Sequence, residues 1–87
     1  YWDMHDPEKF ALAEFQQAPV GAPDYAPTKW GELRQYRGIP EKGALDEKLQ
    51  RELIHGYYAA ASYMDAQVGK VLETLEESGL ANDTIVV

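Results

Sequence analysis

The sequence lacks several features that would narrow its function at once. It contains no cysteine among its 87 residues, which excludes disulfide bonds and cysteine–zinc sites and leaves the redox compartment undecided. No apolar run approaches the roughly 18 residues that a membrane-spanning helix needs. Basic residues are scarce, because 15 acidic side chains face 8 basic ones and the net charge is −7. This balance disfavours nonspecific binding to nucleic acids, since phosphate contacts need a basic surface.

The common catalytic signatures are missing as well. The sequence contains no P-loop, no dinucleotide-binding glycine pattern and no nucleophile elbow. No signal peptide is recognisable among these residues, which begin at Tyr1 instead of a methionine. From this start we expect an internal part of a longer protein.

The dominant feature that is present is an amphipathic segment from Asp46 to Gly79. Its apolar residues recur at steps of three and four and fall within about 140° of a helical wheel, which is typical of a helix and not of a strand. We call these residues the apolar stripe: Leu49, Leu53, Tyr57, Ala61, Met64, Val68, Val71, Leu72 and Leu75. Asp46 is the expected N-cap, and Gly79 is expected to end the helix in a left-handed conformation.

The middle of this predicted helix is poor in charge. Between Gly56 and Gly69 the only charged residue is Asp65. The face away from the apolar stripe carries Ala59, Ser62, Tyr63 and Ala66. A helix that is small or apolar all round is buried on more than one side. Because the rest of this chain is too small to bury such a helix, we predict that the helix belongs to a larger domain whose other parts lie outside these residues.

The segment before the helix, residues 1–45, is expected to be mostly loop. Residues 11–43 hold four of the five prolines and four of the seven glycines, which breaks regular structure, yet they are too aromatic for a disordered linker. A turn of helix is expected near Lys29 to Gln35. Asp6 and Pro7 are suited to the N-cap and first position of another short helix.

The segment after the helix predicts a strand. Residues 84–87, Thr-Ile-Val-Val, are β-branched and uncharged, as in a strand buried on both faces of a parallel sheet. The predicted fold class is therefore α/β, with one long helix (46–79), long irregular loops and one terminal strand (84–87). The other strands of that sheet would be missing here.

Three places in the sequence have polar residues that are candidates for metal binding or catalysis. His5 with Asp3 and Asp6 suggests a metal cluster, but polar residues around a helix start are the stronger interpretation. His55 lies away from the apolar stripe and is a weak catalytic candidate. Asp65 stands in an uncharged stretch, where a carboxylate needs a partner. We favour a hydrogen bond from a neighbouring loop to Asp65 over a role in ligation or catalysis.

The tyrosines of the predicted helix and a glycosylation sequon also give only weak indications of function. Tyr57, Tyr58 and Tyr63 are more typical of a core with hydrogen-bonded hydroxyls than of a stacking platform. The sequon at residues 82–84, Asn-Asp-Thr, is not expected to be glycosylated beside a buried strand.

Four basic side chains of the loop are candidates for binding an anionic substrate, although they are a weak indication in a chain of net charge −7. They are Lys29, Arg34, Arg37 and Lys42. For each of these candidates, a structural role is favoured over a role in catalysis or ligand binding.

At the level of whole segments the sequence resembles a known family. Residues 55–87 read HGYYAAASYMDAQVGKVLETLEESGLANDTIVV and resemble the part of type I sulfatases, in the alkaline phosphatase-like superfamily, just before the strand that delivers a metal-binding Asp-His pair. The opening, YWDMHDPEKFALAEFQ, is similar to the iduronate-2-sulfatase-like and choline-sulfatase-like branch, where it follows a Lys-Pro-His motif. The resemblance covers nearly the whole chain.

This resemblance implies an α/β fold and hydrolysis of the sulfate ester of a sugar or small molecule. It also implies a formylglycine nucleophile and a Ca²⁺ ion, with the nucleophile and the ligands outside residues 1–87. The chain would supply a helix beside the central sheet and a loop near the mouth of the site. It would need the remaining sulfatase chain to fold and would be inactive alone. A parent that follows the family would be periplasmic or secreted.

Two alternatives remain open at this point. The parent could be a phosphodiesterase or phosphonate monoester hydrolase of the same superfamily, which shares this helix and differs at the nucleophile and substrate pocket. The chain could instead be a non-enzymatic helical module whose apolar face docks on a partner.

Overall fold

One long helix dominates the computed structural model of the chain, which describes residues 1–27 and 31–87. This helix, α1, comprises Glu47–Glu77 and has 31 residues. Short 3₁₀ turns lie at Trp2–Met4, Pro7–Lys9, Glu32–Gln35 and Ala81–Asp83. The remaining described residues are irregular. Within the described ranges, no helix combines the length and apolar character needed to cross a membrane.

The ends of α1 confirm the capping that the sequence predicts. The Asp46 carboxylate accepts a hydrogen bond from the Leu49 amide at 2.7 Å, which satisfies one of the free donors of the first turn. At the other end Gly79 has φ +74°, and its amide donates to the Glu76 carbonyl at 3.0 Å. A left-handed residue is favourable here because glycine has no Cβ. Both predicted ends of the helix, 46 and 79, thus flank the observed one as caps.

Replacement of the N-cap tests this assignment. Asp46→Ala is expected to destabilise the first turn of α1 by about 1 kcal/mol, because no side-chain acceptor remains for the Leu49 amide. Hydrogen exchange of that amide should accelerate about fivefold. Asp46→Asn keeps an acceptor and serves as the matched control. Equal exchange rates in the alanine and asparagine variants would argue against a capping role.

Most of residues 1–10 lie across α1 on the side away from the apolar stripe, while Tyr1 and Met4 line a cavity at its edge with Ala61, Met64 and Val68. Asp6 caps the second 3₁₀ turn by accepting from the Glu8 amide at 3.1 Å, with Pro7 in the first position. The short helix predicted after Asp6 is therefore present, as a 3₁₀ turn. Beneath this segment, His55 and Ala59 are the only buried residues in the described part of the chain, with exposed fractions of 5% and 9%.

The loop before α1 agrees in part with the sequence prediction. Glu32–Gln35 forms the expected turn of helix near Gln35. Lys29 and Trp30, on which the start of that prediction falls, lie outside the described residues.

The chain as a whole is open. Its radius of gyration is 19.1 Å, whereas a compact domain of this length has about 12 Å. Its accessible surface is 8026 Å², and a folded monomer of this mass exposes about 5,200 Å². The described residues, 1–27 and 31–87, therefore do not enclose a core of ordinary size around α1.

The predicted terminal strand, residues 84–87, is wrong for the described chain. Thr84 has the extended dihedral angles of a strand, φ −122° and ψ 127°, but residues 84–87 are exposed and form no strand in the part of the chain that the structure describes. The physical reason is that a strand is defined by its hydrogen bonds to a neighbouring strand. No described segment offers one, so the apolar pattern has no ladder to join.

Candidate functional site

The most organised group of side chains lies where residues 1–10 cross α1. We call it the histidine–aromatic cluster, and it consists of Trp2, His5, Phe10, His55, Tyr58 and Ser62. Its members come from both segments, which are more than 40 residues apart in sequence. The cluster is the strongest candidate for a functional site because it combines a buried histidine, two half-buried polar side chains and several aromatic rings.

His55 is the centre of the cluster. Its Nε2 lies 2.8 Å from the carbonyl oxygen of Trp2, and its ring packs on the Trp2 indole with centroids 3.9 Å apart and a tilt of 37°. A carbonyl can only accept, so Nε2 carries the hydrogen and donates it. This bond satisfies a polar group that would be costly to bury alone. His55 thereby fixes both the main chain and the side chain of Trp2 against the helix.

His5 makes the reciprocal link from the N-terminal segment to the helix. Its Nε2 and the Ser62 hydroxyl share a hydrogen bond of 2.8 Å. The His5 ring also meets Tyr58 edge-on at 5.5 Å, and Tyr58 lies 4.8 Å from Phe10. Such tilted and edge-on pairs are the favoured arrangements of aromatic rings.

Arg51 makes a third hydrogen bond between residues 1–10 and α1. Its guanidinium donates to the carbonyl oxygen of Phe10. Together with the His55–Trp2 and His5–Ser62 bonds, it pins residues 1–10 to three places on one face of α1. All three bonds connect the same two segments, so the cluster stabilises the packing of one segment on the other.

The chemistry available to the cluster is limited. His5 and Ser62 have the spacing of a general base and a nucleophile, but a catalytic pair also needs a group that orients the base. Among the described residues no carboxylate hydrogen-bonds to His5. Beside the cluster lies a shallow cleft of about 500 Å³ that carries both charge signs. It is lined by Trp2, Pro7, Glu8, Glu47, Lys48, Arg51, Glu52 and His55.

In the described part of the chain, His5, Asp3 and Asp6 do not come together as a metal site. Asp6 is occupied as a cap and lies 3.8 Å from the Lys9 ammonium, while His5 is engaged with Ser62. Within residues 1–27 and 31–87, no three side chains of His, Cys, Asp or Glu come together in a way that could hold a metal ion.

The other candidates on α1 are mostly exposed. Asp65 faces solvent, so water hydrates its carboxylate and the predicted need for a protein partner does not arise. Tyr58 packs in the cluster, and Tyr63 meets Tyr1 edge-on at 5.5 Å. Tyr57, Tyr58 and Tyr63 are 77%, 49% and 55% exposed, so their predicted place in a core is wrong for this chain. The reason is that the apolar stripe to which Tyr57 belongs has no cover here.

Of the four loop cations, the three that the structure describes do not converge on a site. The Arg34 guanidinium donates to the carbonyl oxygens of Pro40 and Gly43, each at 2.8 Å, and so closes the loop that these residues span. Arg37 and Lys42 are exposed, and Lys29 lies outside the described residues. Arg34 is therefore a structural clasp.

A second bond stiffens the same loop. The Tyr36 hydroxyl donates to the Glu32 carboxylate at 2.6 Å, and this bond, with the charge of Glu32, raises the pKa of Tyr36 above its usual value. Because the bond needs the protonated hydroxyl, it persists at neutral pH and is lost as the pH rises through that raised pKa.

Replacement of Arg34 tests the clasp. Arg34→Lys keeps the charge but lacks the planar fork that reaches two carbonyls at once. We expect the loop to open more often, with a loss of about 1 kcal/mol and roughly fivefold faster hydrogen exchange at the Ile39 amide. Arg37→Lys, in the same loop on an exposed side chain, is the control and should change nothing. An unchanged Ile39 amide in both variants would contradict the clasp.

Sequence reasoning missed the pairing of Trp2 with His55 and of His5 with Ser62. One signal was present, because His55, Ala59 and Ser62 share a face of the helical wheel. The identity of the segment that covers this face carries no comparable signal, since the contact is made across more than 50 residues.

Comparison with known proteins shows that the chain is similar to one protein family. A family model described as Sulfatase matches residues 4–87. The human protein named iduronate 2-sulfatase is 33% identical in an alignment of 85 positions that covers 91% of this chain and 16% of that protein. The mouse protein of the same name is 32% identical in an alignment of 85 positions that covers 91% of this chain and 15% of that protein. No solved structure matches the chain significantly.

Proposed function

We propose that this chain, which belongs to the sulfatase family, forms part of the catalytic domain of a sulfuric ester hydrolase. Two observations support the proposal. The family match takes in residues 4–87, yet the chain spans only 16% of its human relative. The open shape of the chain, with an uncovered apolar stripe, is what a segment of a larger α/β domain would have. The fold that we propose for that domain is the alkaline phosphatase-like one.

Within that domain we propose a scaffolding role for the chain. The histidine–aromatic cluster fastens residues 1–10 to α1, and the clasp of Arg34 shapes the loop before it. These polar contacts connect parts of the chain to each other, which is the chemistry of packing. Helix α1 would flank the central sheet, and the loop of residues 11–43 would lie near the mouth of the active site.

The reacting groups of the enzyme are proposed to lie outside this chain. The family's Ca²⁺ needs several carboxylate or carbonyl ligands in one place. The described residues bring together no three His, Cys, Asp or Glu side chains that could hold a metal ion, which supports ligands from elsewhere in the protein. The formylglycine nucleophile would likewise be supplied elsewhere in the protein. Accordingly, we expect residues 1–87 alone to be catalytically inactive.

The proposed substrate is the sulfate ester of a sugar. This follows the name of the human and mouse relatives, which makes iduronate 2-sulfate the first substrate to test. The assay compares kcat/KM of the complete protein for a 2-sulfated iduronate, an aryl sulfate and an aryl phosphodiester. Faster hydrolysis of the sulfate esters is the expected result. A preference for the phosphodiester would overturn the proposal in favour of a phosphodiesterase of the same superfamily.

A further inference from the structure

We propose that Gln50 and Arg51 act as positioning residues for substrate binding, because they hold both ends of the loop of residues 11–43 at one place on α1. We call this pair the loop base. The proposal rests on the proposed function, which puts that loop near the mouth of the active site, and it gives the loop a part in binding the sulfated sugar. The loop base itself touches neither the substrate nor the reacting groups.

Arg51 holds the start of the loop. Its guanidinium donates a hydrogen bond to the carbonyl oxygen of Phe10, the residue directly before the loop. Hydrogen bonds from a charged donor are roughly twice as strong as those from a neutral one. The Phe10 ring is also held, since its centroid lies 4.8 Å from that of Tyr58 on α1. The chain therefore enters the loop from a fixed point beside α1.

Gln50, the preceding residue of α1, holds the end of the loop and part of its first half. Its Nε2 atom lies 2.8 Å from the carbonyl oxygen of Leu45, which follows the loop, and 3.3 Å from Oε1 of Gln16. A side-chain amide has two N–H groups, so both bonds can be donated at once. Gln16 and Gln50 are 34 residues apart in sequence. One side chain thus ties the first half of the loop to its end.

The two halves of the loop are held to different degrees. The second half is closed by the clasp of Arg34, and its Ile39 lines a groove with Leu49 of α1. Among the described residues, Gln16 makes the only hydrogen bond from residues 11–27 to α1. Nearly all side chains of residues 11–27 are exposed. We therefore expect loss of this bond to release the first half of the loop while the second half stays in place.

Release of a binding loop weakens substrate binding through the population of its competent position. If the loop occupies that position for about one tenth of the time, the apparent dissociation constant rises about tenfold. Cleavage of the ester depends on the reacting groups, which are proposed to lie outside this chain. The loop base should therefore change KM and leave kcat nearly unaltered. A small aryl sulfate extends less far from its sulfate group than a sulfated disaccharide does, so its KM should change less.

Steady-state kinetics of the complete protein test the proposal with a disaccharide that contains 2-sulfated iduronate and with an aryl sulfate. Gln50→Glu replaces the amide donor with a carboxylate of the same shape, which repels both acceptors. Arg51→Met removes the donor to Phe10, whereas Arg51→Lys keeps one. The matched control is Gln67→Glu, the same change further along α1. Gln67 accepts a hydrogen bond from Lys70, which a carboxylate also accepts.

We expect the KM of Gln50→Glu and of Arg51→Met for the disaccharide to rise about tenfold, with kcat changed less than about twofold. Arg51→Lys should recover most of the loss, and Gln67→Glu should match the unmodified protein. Backbone hydrogen exchange at residues 11–27 should be faster in the same two variants, which gives a readout independent of substrate. Gln50→Glu keeps the test decisive if Arg51→Met fails to fold, because an acidic side chain near the start of a helix is favourable.

Two results would overturn the positioning role alone. An unchanged KM in an active protein, with or without faster exchange, would mean that the loop base does not position a binding loop. An equal loss for both substrates that is carried by kcat would indicate a merely structural role. Absence of sulfate-ester hydrolysis by the unmodified protein would overturn the proposed function and the positioning role together, so the two failures are distinguishable.

Discussion

Val71→Asp is expected to abolish folding of the complete sulfatase while leaving the isolated 87-residue chain almost unchanged. In the complete protein the side chain would lie against apolar surface, and an unpaired carboxylate there destabilises by several kcal/mol. Typical domains have only about 5–15 kcal/mol of stability. In the isolated chain Val71 is 69% exposed, so the substitution affects little beyond helix propensity, a few tenths of a kcal/mol.

The measurement compares soluble yield and thermal unfolding of the complete protein with Val71→Asp and with Glu73→Asp. The control introduces the same residue two positions along the same helix, on the side away from the apolar stripe, where Glu73 is exposed. We expect a soluble protein with an unchanged Tm for Glu73→Asp and little or no soluble protein for Val71→Asp. If both variants fold with the Tm of the unmodified protein, the stripe is not an internal surface.

Trp2→Ala is the second substitution with a large expected effect. The indole covers His55, and its removal exposes a ring that is now only 5% accessible. Complete burial of a tryptophan makes its truncation cost about 3–5 kcal/mol. Trp2 is itself 49% exposed, so we expect about half of that, roughly 2 kcal/mol. The Tm of the complete protein should fall, and the carbon-bound hydrogen of the His55 ring should exchange faster with solvent.

Two controls define the interpretation of that result. Trp2→Phe keeps an aromatic face on His55 and should recover part of the lost stability. Phe15→Ala removes an aromatic ring that is exposed in the loop and should have little effect. A Trp2→Ala protein with unaltered Tm and unaltered ring exchange would mean that residues 1–10 do not cover the helix in solution.

Local physics explains why the helix could be predicted from sequence. The 3.6-residue period, the cap at Asp46 and the left-handed glycine at position 79 depend on residues within one turn of each other. Each of these features is present in the structure at the expected residue. The family resemblance is also confirmed, since a family model described as Sulfatase matches residues 4–87.

The features that the sequence did not predict correctly depend on contacts with residues that are distant in sequence or outside the described chain. Residues 84–87 have the composition of a strand but no described neighbour to pair with. Tyr57 has the spacing of a core residue but no described surface to pack on. His55 was correctly placed away from the apolar stripe, but its burial depends on Trp2, which lies 53 residues away in sequence. Periodicity assigns a residue to a face and does not identify what covers that face.

The central claim is that these 87 residues cannot close a core of their own, and the isolated chain tests it most directly. Circular dichroism and size exclusion with light scattering, over a range of concentrations and temperatures, measure helix content, cooperativity and association state together. The account predicts a weakly helical chain that unfolds gradually, or one that self-associates as concentration rises. A monomer with the helix content of residues 47–77 and a single cooperative unfolding transition would contradict it and would favour an independent helical module.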